Sequence, residues 1–202
     1  MADNRTRPGS PSCFASAYSF TEDLIMSLSA TSAGCMAVLY ALSLPAFAGE
    51  LERIPNAPPA PAIDVADLAG ERHALSEYRG SVVLVNFWVS WCPPCLQEMP
   101  SLQRLAESMA GHPFKVLAVN VGETPRRAME AMRRIGYKDT LLLDPDQRVF
   151  AAWGARVLPS SFLVGCDGRI RSQAVGPLEW DAPQVQDAVE SLVREGLAGC
   201  KP

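Results

Sequence analysis

Hydrophobic and polar positions alternate between two periods along most of the chain, and the order of those periods predicts an α/β fold. Ser81–Trp88 (SVVLVNFW) is β-branched and aromatic with almost no polar interruption, the pattern of a strand buried on both faces. Apolar residues then recur at helical spacing at Leu96, Met99, Leu102, Leu105 and Met109, which predicts a helix from Cys92 to about Met109 with a kink at Pro100. Phe114–Val121 (FKVLAVNV) repeats the buried-strand pattern. Thr124-Pro125 supplies an N-cap and an N1 proline for a helix to about Ile135. A short strand at Leu141–Leu143 follows, closed by the turn Asp144-Pro145-Asp146, and then a short helix at Arg148–Trp153.

The two ends of this region read as hairpins. Ala62-Ile63 and Arg72–Leu75 flank a turn at Asp67–Gly70, and Ser161–Val164 and Arg169–Val175 flank Gly165-Cys166-Asp167-Gly168. Asp181 is positioned to cap a last helix, about Ala182–Glu195, whose Val185, Ala188, Val189, Leu192 and Val193 form one apolar stripe. Strands alternating with helices and ending in a hairpin predict a mixed central sheet flanked by helices, over residues 62–196. Residues 197–202 read as a tail, and the proline- and alanine-rich 49–61 as an extended linker.

The first 48 residues stand apart. Ala33–Ala48 (AGCMAVLYALSLPAFA) is nearly free of polar groups and ends in the small-x-small triplet Ala46-Phe47-Ala48, an h-region with a cleavage site after Ala48. An uncleaved membrane anchor is the alternative, but about 16 residues with Pro45 inside fall short of the ~20 that a spanning helix needs. The preceding stretch is long for a signal and carries Glu22 and Asp23; a start at Met26 gives a signal of normal length without a basic residue. Cleavage removes Cys13 and Cys35, leaves four cysteines, and changes the net charge from -4 to -3, since the leader holds two basic and three acidic residues. With no basic run, nucleic acid is not an expected partner.

The chemistry centres on Trp91-Cys92-Pro93-Pro94-Cys95, placed where a buried strand gives way to a helix. A helix N-terminus carries partial positive charge and free N–H groups, so it favours the thiolate that attacks disulfides. Cys92 is the expected nucleophile and Cys95 the more buried resolving thiol. Half of a zinc site would need a second CxxC or a CxxH, and the chain has neither; His73 and His112 read as lone histidines, so no metal site is expected. Pro93 and Pro94 have no N–H to offer the Cys92 sulfur, which stabilises the reduced form less and predicts a reductant.

Cys166 and Cys200 lie outside this motif. The strand leaving Cys166's turn spans about 23 Å, and the last helix returns over about 21 Å, which brings Cys200 back near the turn. A structural disulfide and two free thiols on mobile ends are both compatible with this pattern. A bridge would contribute roughly 3–4 kcal/mol in the chain-entropy model. Trp88 and Trp91 read as core and active-site-wall aromatics.

SVVLVNFWVSWCPPCLQEMPSL, AVNVGE (Ala118–Glu123) and Val157–Phe162 (VLPSSF) resemble the TlpA/ResA-like extracytoplasmic thioredoxins, over most of residues 57–195. The resemblance implies a thioredoxin fold with an N-terminal hairpin and a central helix–strand insertion, and a thiol–disulfide reductase needing no cofactor. It implies a cis Pro159 facing the cysteines with Leu158 beside it, although Pro159 can also be read as an ordinary loop proline. Trp91, Pro93, Leu158 and Pro159 are then the substrate-binding residues. Asn86 stands where cytosolic thioredoxins keep a buried aspartate. Glu123 matches a glutamate near the cysteines, able to raise their pKa values and take a proton from Cys95; the plainer reading is an acid before a helix N-terminus. The implied partners are oxidised proteins of the periplasm, an apocytochrome c among them, and a membrane electron donor. A copper metallochaperone would want a histidine near the pair. A thiol peroxidase would want a threonine where Val89 stands.

Overall fold

The computed structural model describes residues 49–200; the predicted leader with its cleavage site, Cys13 and Cys35, and the last two residues of the tail lie outside them. The elements in chain order are β1 Glu52–Arg53, β2 Asp64–Ala66, β3 Arg72–Ala74, β4 Val82–Trp88, α1 Pro93–Ser108, β5 Phe114–Val121, α2 Pro125–Ile135, β6 Leu141–Asp144, α3 Arg148–Ala152, β7 Ser160–Val164, β8 Ile170–Val175 and α4 Pro183–Gly199. Among the described residues, six strands form one sheet in the order β1-β8-β7-β4-β5-β6. β4 pairs in parallel with β5, and β5 with β6, while β7 runs antiparallel to both β4 and β8.

The central position of β4 explains its composition. Every residue from Val82 to Trp88 is buried, because strands flank it on both edges and helices cover its faces. Phe87 meets Phe150, Trp153 and Phe162 edge-on, which joins β4, α3 and β7 into one aromatic cluster. α1 buries Met99, Leu102 and Leu105 and runs unbroken through Pro100, which lies on its exposed side.

Several sequence expectations shift. The first hairpin strand begins at Asp64 instead of Ala62, and the segment 49–61 is more than a linker. Its Glu52 and Arg53 pair with Gln173 and Ser172 of β8, and Pro59 bridges to Arg169. Prolines lack a donor and are tolerated at a sheet edge, which is where this segment lies. Asp181 does not cap α4: Ala182 holds the N-cap without a side-chain bond, and Asp181 instead pairs with Arg104 at 2.5 Å. The Thr124 side chain makes no capping bond either. α4 runs through Gly196 to Gly199, a turn beyond the expected end, so the first three residues of the predicted tail are helix. His73 is not a lone residue. Its ring nitrogens meet Asp67 of the β2–β3 turn at 3.3 Å and Tyr78 Oη, just after β3, at 2.9 Å.

Candidate active site

The site forms where β4 ends and α1 begins. Cys92 is the N-cap of α1, with Pro93 and Pro94 in the first helical positions. Two of the helix's free donors are therefore missing, and the first N–H that reaches the sulfur is that of Cys95, which donates to Cys92 Sγ at 3.2 Å. Cys92 and Cys95 are disulfide-bonded with Cα atoms 5.3 Å apart. Cys92 is 6% exposed and Cys95 fully buried.

Cys92 opens onto a slot of about 560 Å³. Trp91, Pro93, Pro94 and Leu158 line it together with Val89, Val121 and Phe150, and Arg156 stands at its edge. Trp91 is 70% exposed, an unusual position for so large an apolar surface in a protein with no partner. The Leu158–Pro159 peptide is cis, and Pro159 is buried behind Leu158 at the start of β7. Gly122 also lines the slot, with φ +69°, and a Cβ there would run into the Gln147 side chain, so both conformation and space require glycine.

Glu123 is buried beneath the loop that presents the motif. One carboxylate oxygen accepts from the Ser90 N–H at 2.6 Å and from Asn120 at 2.8 Å, and the other from Ser90 Oγ at 2.5 Å. These bonds fix the loop that carries Trp91 and Cys92.

Glu98 is a further residue of the site, outside those expected from the sequence. It follows Cys95 by one helical turn, a spacing that leaves side chains about 5–6 Å apart at Cβ, and it is only 1% exposed. Asn86 donates to one of its oxygens at 2.6 Å and the Leu178 N–H to the other at 3.1 Å. Asn86 also donates to Ser161 Oγ at 2.9 Å, so Asn86 links β4, α1 and β7. Burial pushes the Glu98 carboxyl up to about 7, against those two hydrogen bonds, which favour its charged form. The available signal was a carboxylate on the otherwise apolar face of α1, beside Met99 and Leu102. Asn86 Oδ1 is buried without a partner; a protonated Glu98 could donate to it after rotation of the amide.

Cys166 and Cys200 lie elsewhere. They are bonded to each other with Cα atoms 6.1 Å apart, at the far end of β7 from Pro159.

A cysteine pair at a helix N-terminus, backed by a mixed sheet and faced by a cis-proline loop, defines a thioredoxin-fold thiol–disulfide oxidoreductase. The Redoxin family model matches residues 55–192. The thiol-disulfide oxidoreductase ResA of Bacillus subtilis (strain 168) is 31% identical over 156 residues, covering 77% of this chain and 81% of that protein. The thiol:disulfide interchange protein DsbE of Allochromatium vinosum is 34% identical over 144 residues, covering 70% and 77%. Among solved structures, one from Chlorobium tepidum described as a thiol:disulfide interchange protein DsbE superposes with a TM-score of 0.61 at 28% identity, covering 73% of this chain and 99% of that one. A thioredoxin structure from Neisseria meningitidis gives 0.61 at 31%, covering 69% and 92%. The chain belongs to the Redoxin family and, within it, to the TlpA/ResA-like thioredoxins, and its activity is thiol–disulfide exchange.

Proposed function

We propose that the protein reduces disulfides of exported proteins outside the cytoplasm, in the periplasm, with Cys92 as nucleophile and Cys95 as resolving thiol. The observation that carries this reading is the asymmetry of the pair. Cys92 borders an open apolar slot, whereas Cys95 is sealed beneath it, so only Cys92 can meet a sulfur from another protein.

In the reduced enzyme the Cys92 thiolate attacks one sulfur of the client disulfide, and the other client sulfur leaves as a thiolate and takes up a proton. Cys95 then loses its proton and attacks Cys92 Sγ. The second client sulfur departs as a thiolate and takes up a proton, and the enzyme is left with the Cys92–Cys95 disulfide. Two electrons and two protons pass to the client. Glu98, one turn from Cys95 and with its carboxyl near neutrality, serves as the proton reservoir for the second step. Glu123 acts as a positioning residue through Ser90. Trp91, Pro93, Leu158 and Pro159 form the surface that the client segment lies against.

An apocytochrome c with an oxidised haem-attachment pair is a fitting client, and a membrane dithiol protein a fitting electron donor. With Cys95→Ser the second step cannot occur, so clients accumulate as mixed disulfides on Cys92 and can be identified after isolation. Recovery of exported proteins linked through Cys92 is the expected result. Adducts that are absent, or that persist in Cys92→Ser/Cys95→Ser, would overturn the reading.

A further inference from the structure

The structure assigns Cys166 and Cys200 to a second, permanent disulfide that never exchanges with the active-site pair, which makes this reductase itself a product of an oxidising reaction. To form it, the two thiols give up two electrons and two protons to a disulfide-bearing oxidant of the compartment, and one S–S bond results. One end of the molecule is thus oxidised once, while the other is repeatedly reduced.

Four observations support the assignment. The first is position. From Ser160 to Cys166 the chain follows β7 away from the cis-proline loop, a path of roughly 20 Å. Neither sulfur of the second pair can therefore reach Cys92 of the same molecule. The second is cover: the Cys166 sulfur lies against the last turn of α4 at Gly196, whereas Cys92 borders an open slot. An attacking thiolate needs access along the S–S axis, and the helix crowds that line at Cys166, while Cys200 is half-buried at the helix end.

The third observation lies in the sequence of the helix. Gly196 is buried in α4, and a Cβ built there would stand 3.2 Å from Cys166 Sγ. Glycine weakens a helix interior, so its presence at this position follows from the sulfur pressed against the helix. The close approach is built into both partners of the contact, which two free thiols on mobile ends would not require.

The fourth is the rigidity of the turn. The Gly168 N–H donates to the Gly165 carbonyl at 2.8 Å and the Gly80 N–H to the Cys166 carbonyl at 3.0 Å. Asp167 pairs with Arg171 at 2.8 Å. Cys166 is thus presented on a fixed turn, anchored to the segment that enters β4. At the other partner, the Cys200 N–H donates to the Gly196 carbonyl at 2.8 Å, which fixes the helix end. The bridge ties the final helix to the sheet across 34 residues of chain.

The test is a reductant series on the full chain, isolated after export with free thiols blocked. At each dithiothreitol concentration the protein is alkylated and every cysteine is located by peptide mapping. The peptides of Cys166 and Cys200 are expected to stay linked at concentrations that open Cys92–Cys95 completely, and to separate only when denaturant is added. Blocked thiols at Cys166 and Cys200 in the isolated protein, or opening in step with Cys92–Cys95, would overturn the assignment. Mapping of Cys92→Ser/Cys95→Ser keeps the result independent of the reductase reading, because the link is expected there too. Cys166→Ala/Cys200→Ala is expected to lower Tm by roughly 5–15 °C while the disulfide-reductase rate stays at the wild-type value. An unchanged Tm would show that the pair ties nothing together.

Discussion

The two ends of β7 each carry a pair of bonded cysteines, and the pairs differ in almost everything except the bond. At the Pro159 end the sulfurs are three residues apart, at the start of a helix, and one of them opens onto an apolar slot. At the other end they are 34 residues apart, joining a tight turn to the close of a helix and covered by it. A helix N-terminus stabilises a thiolate, and a helix C-terminus does not. Access and local field therefore separate a bond made to be broken from one made to last. The same strand supports both, because its length keeps the sulfurs apart.

The two ends differ most in turnover. Cys92→Ser is expected to bring reduction of a protein disulfide to the uncatalysed background, measured with insulin or a disulfide peptide. Cys166→Ala/Cys200→Ala should leave it unchanged. Equal losses from both changes would erase the distinction between the two ends.

Glu98 gives the next effect, on the pH dependence of stability. In the unfolded chain its carboxyl titrates near 4.5, and in the folded protein at about 7. Between those values the folded state holds more proton, so stability falls as pH rises through the window and is flat on either side. The loss is up to about 3 kcal/mol. Urea unfolding from pH 4 to 8 should show this slope in the wild type and a flatter profile in Glu98→Gln. The same variant should change the pH dependence of the resolving step, which a change of packing alone would not do.

Glu123→Gln acts more weakly, through the loop alone. It weakens the brace on Ser90 by about 1 kcal/mol and should alter the pH profile of Cys92 alkylation through the loop it holds. Overlapping profiles would remove Glu123 from the site.

Much of this was legible in the sequence. β4, β5 and α2 lie at or within a residue of their expected bounds, because a buried strand and a proline-capped helix have strong local patterns. The CxxC motif and the cis-proline loop were legible through short motifs with fixed neighbours. Partnerships across the chain were harder to read. β1 has no strand pattern of its own and forms because the edge of β8 offers hydrogen bonds. Asp181 looked like a cap, but Arg104, 77 residues away in the chain, takes its carboxylate. Glu98 was hidden for the same reason. Its place among the apolar positions of α1 is a local signal, but its environment forms only when Asn86, Leu178 and the helix turn below Cys95 come together.

The reduction potential of Cys92–Cys95 separates a reductant from an oxidant. Equilibration of the protein against glutathione and dithiothreitol buffers, with the oxidised fraction read by alkylation and mass, gives the value. A reductant is expected, with a potential close to that of thioredoxin, about -270 mV, because Pro93 and Pro94 take two donors away from the Cys92 thiolate. A potential near about -120 mV, that of a strong disulfide oxidant, would contradict it.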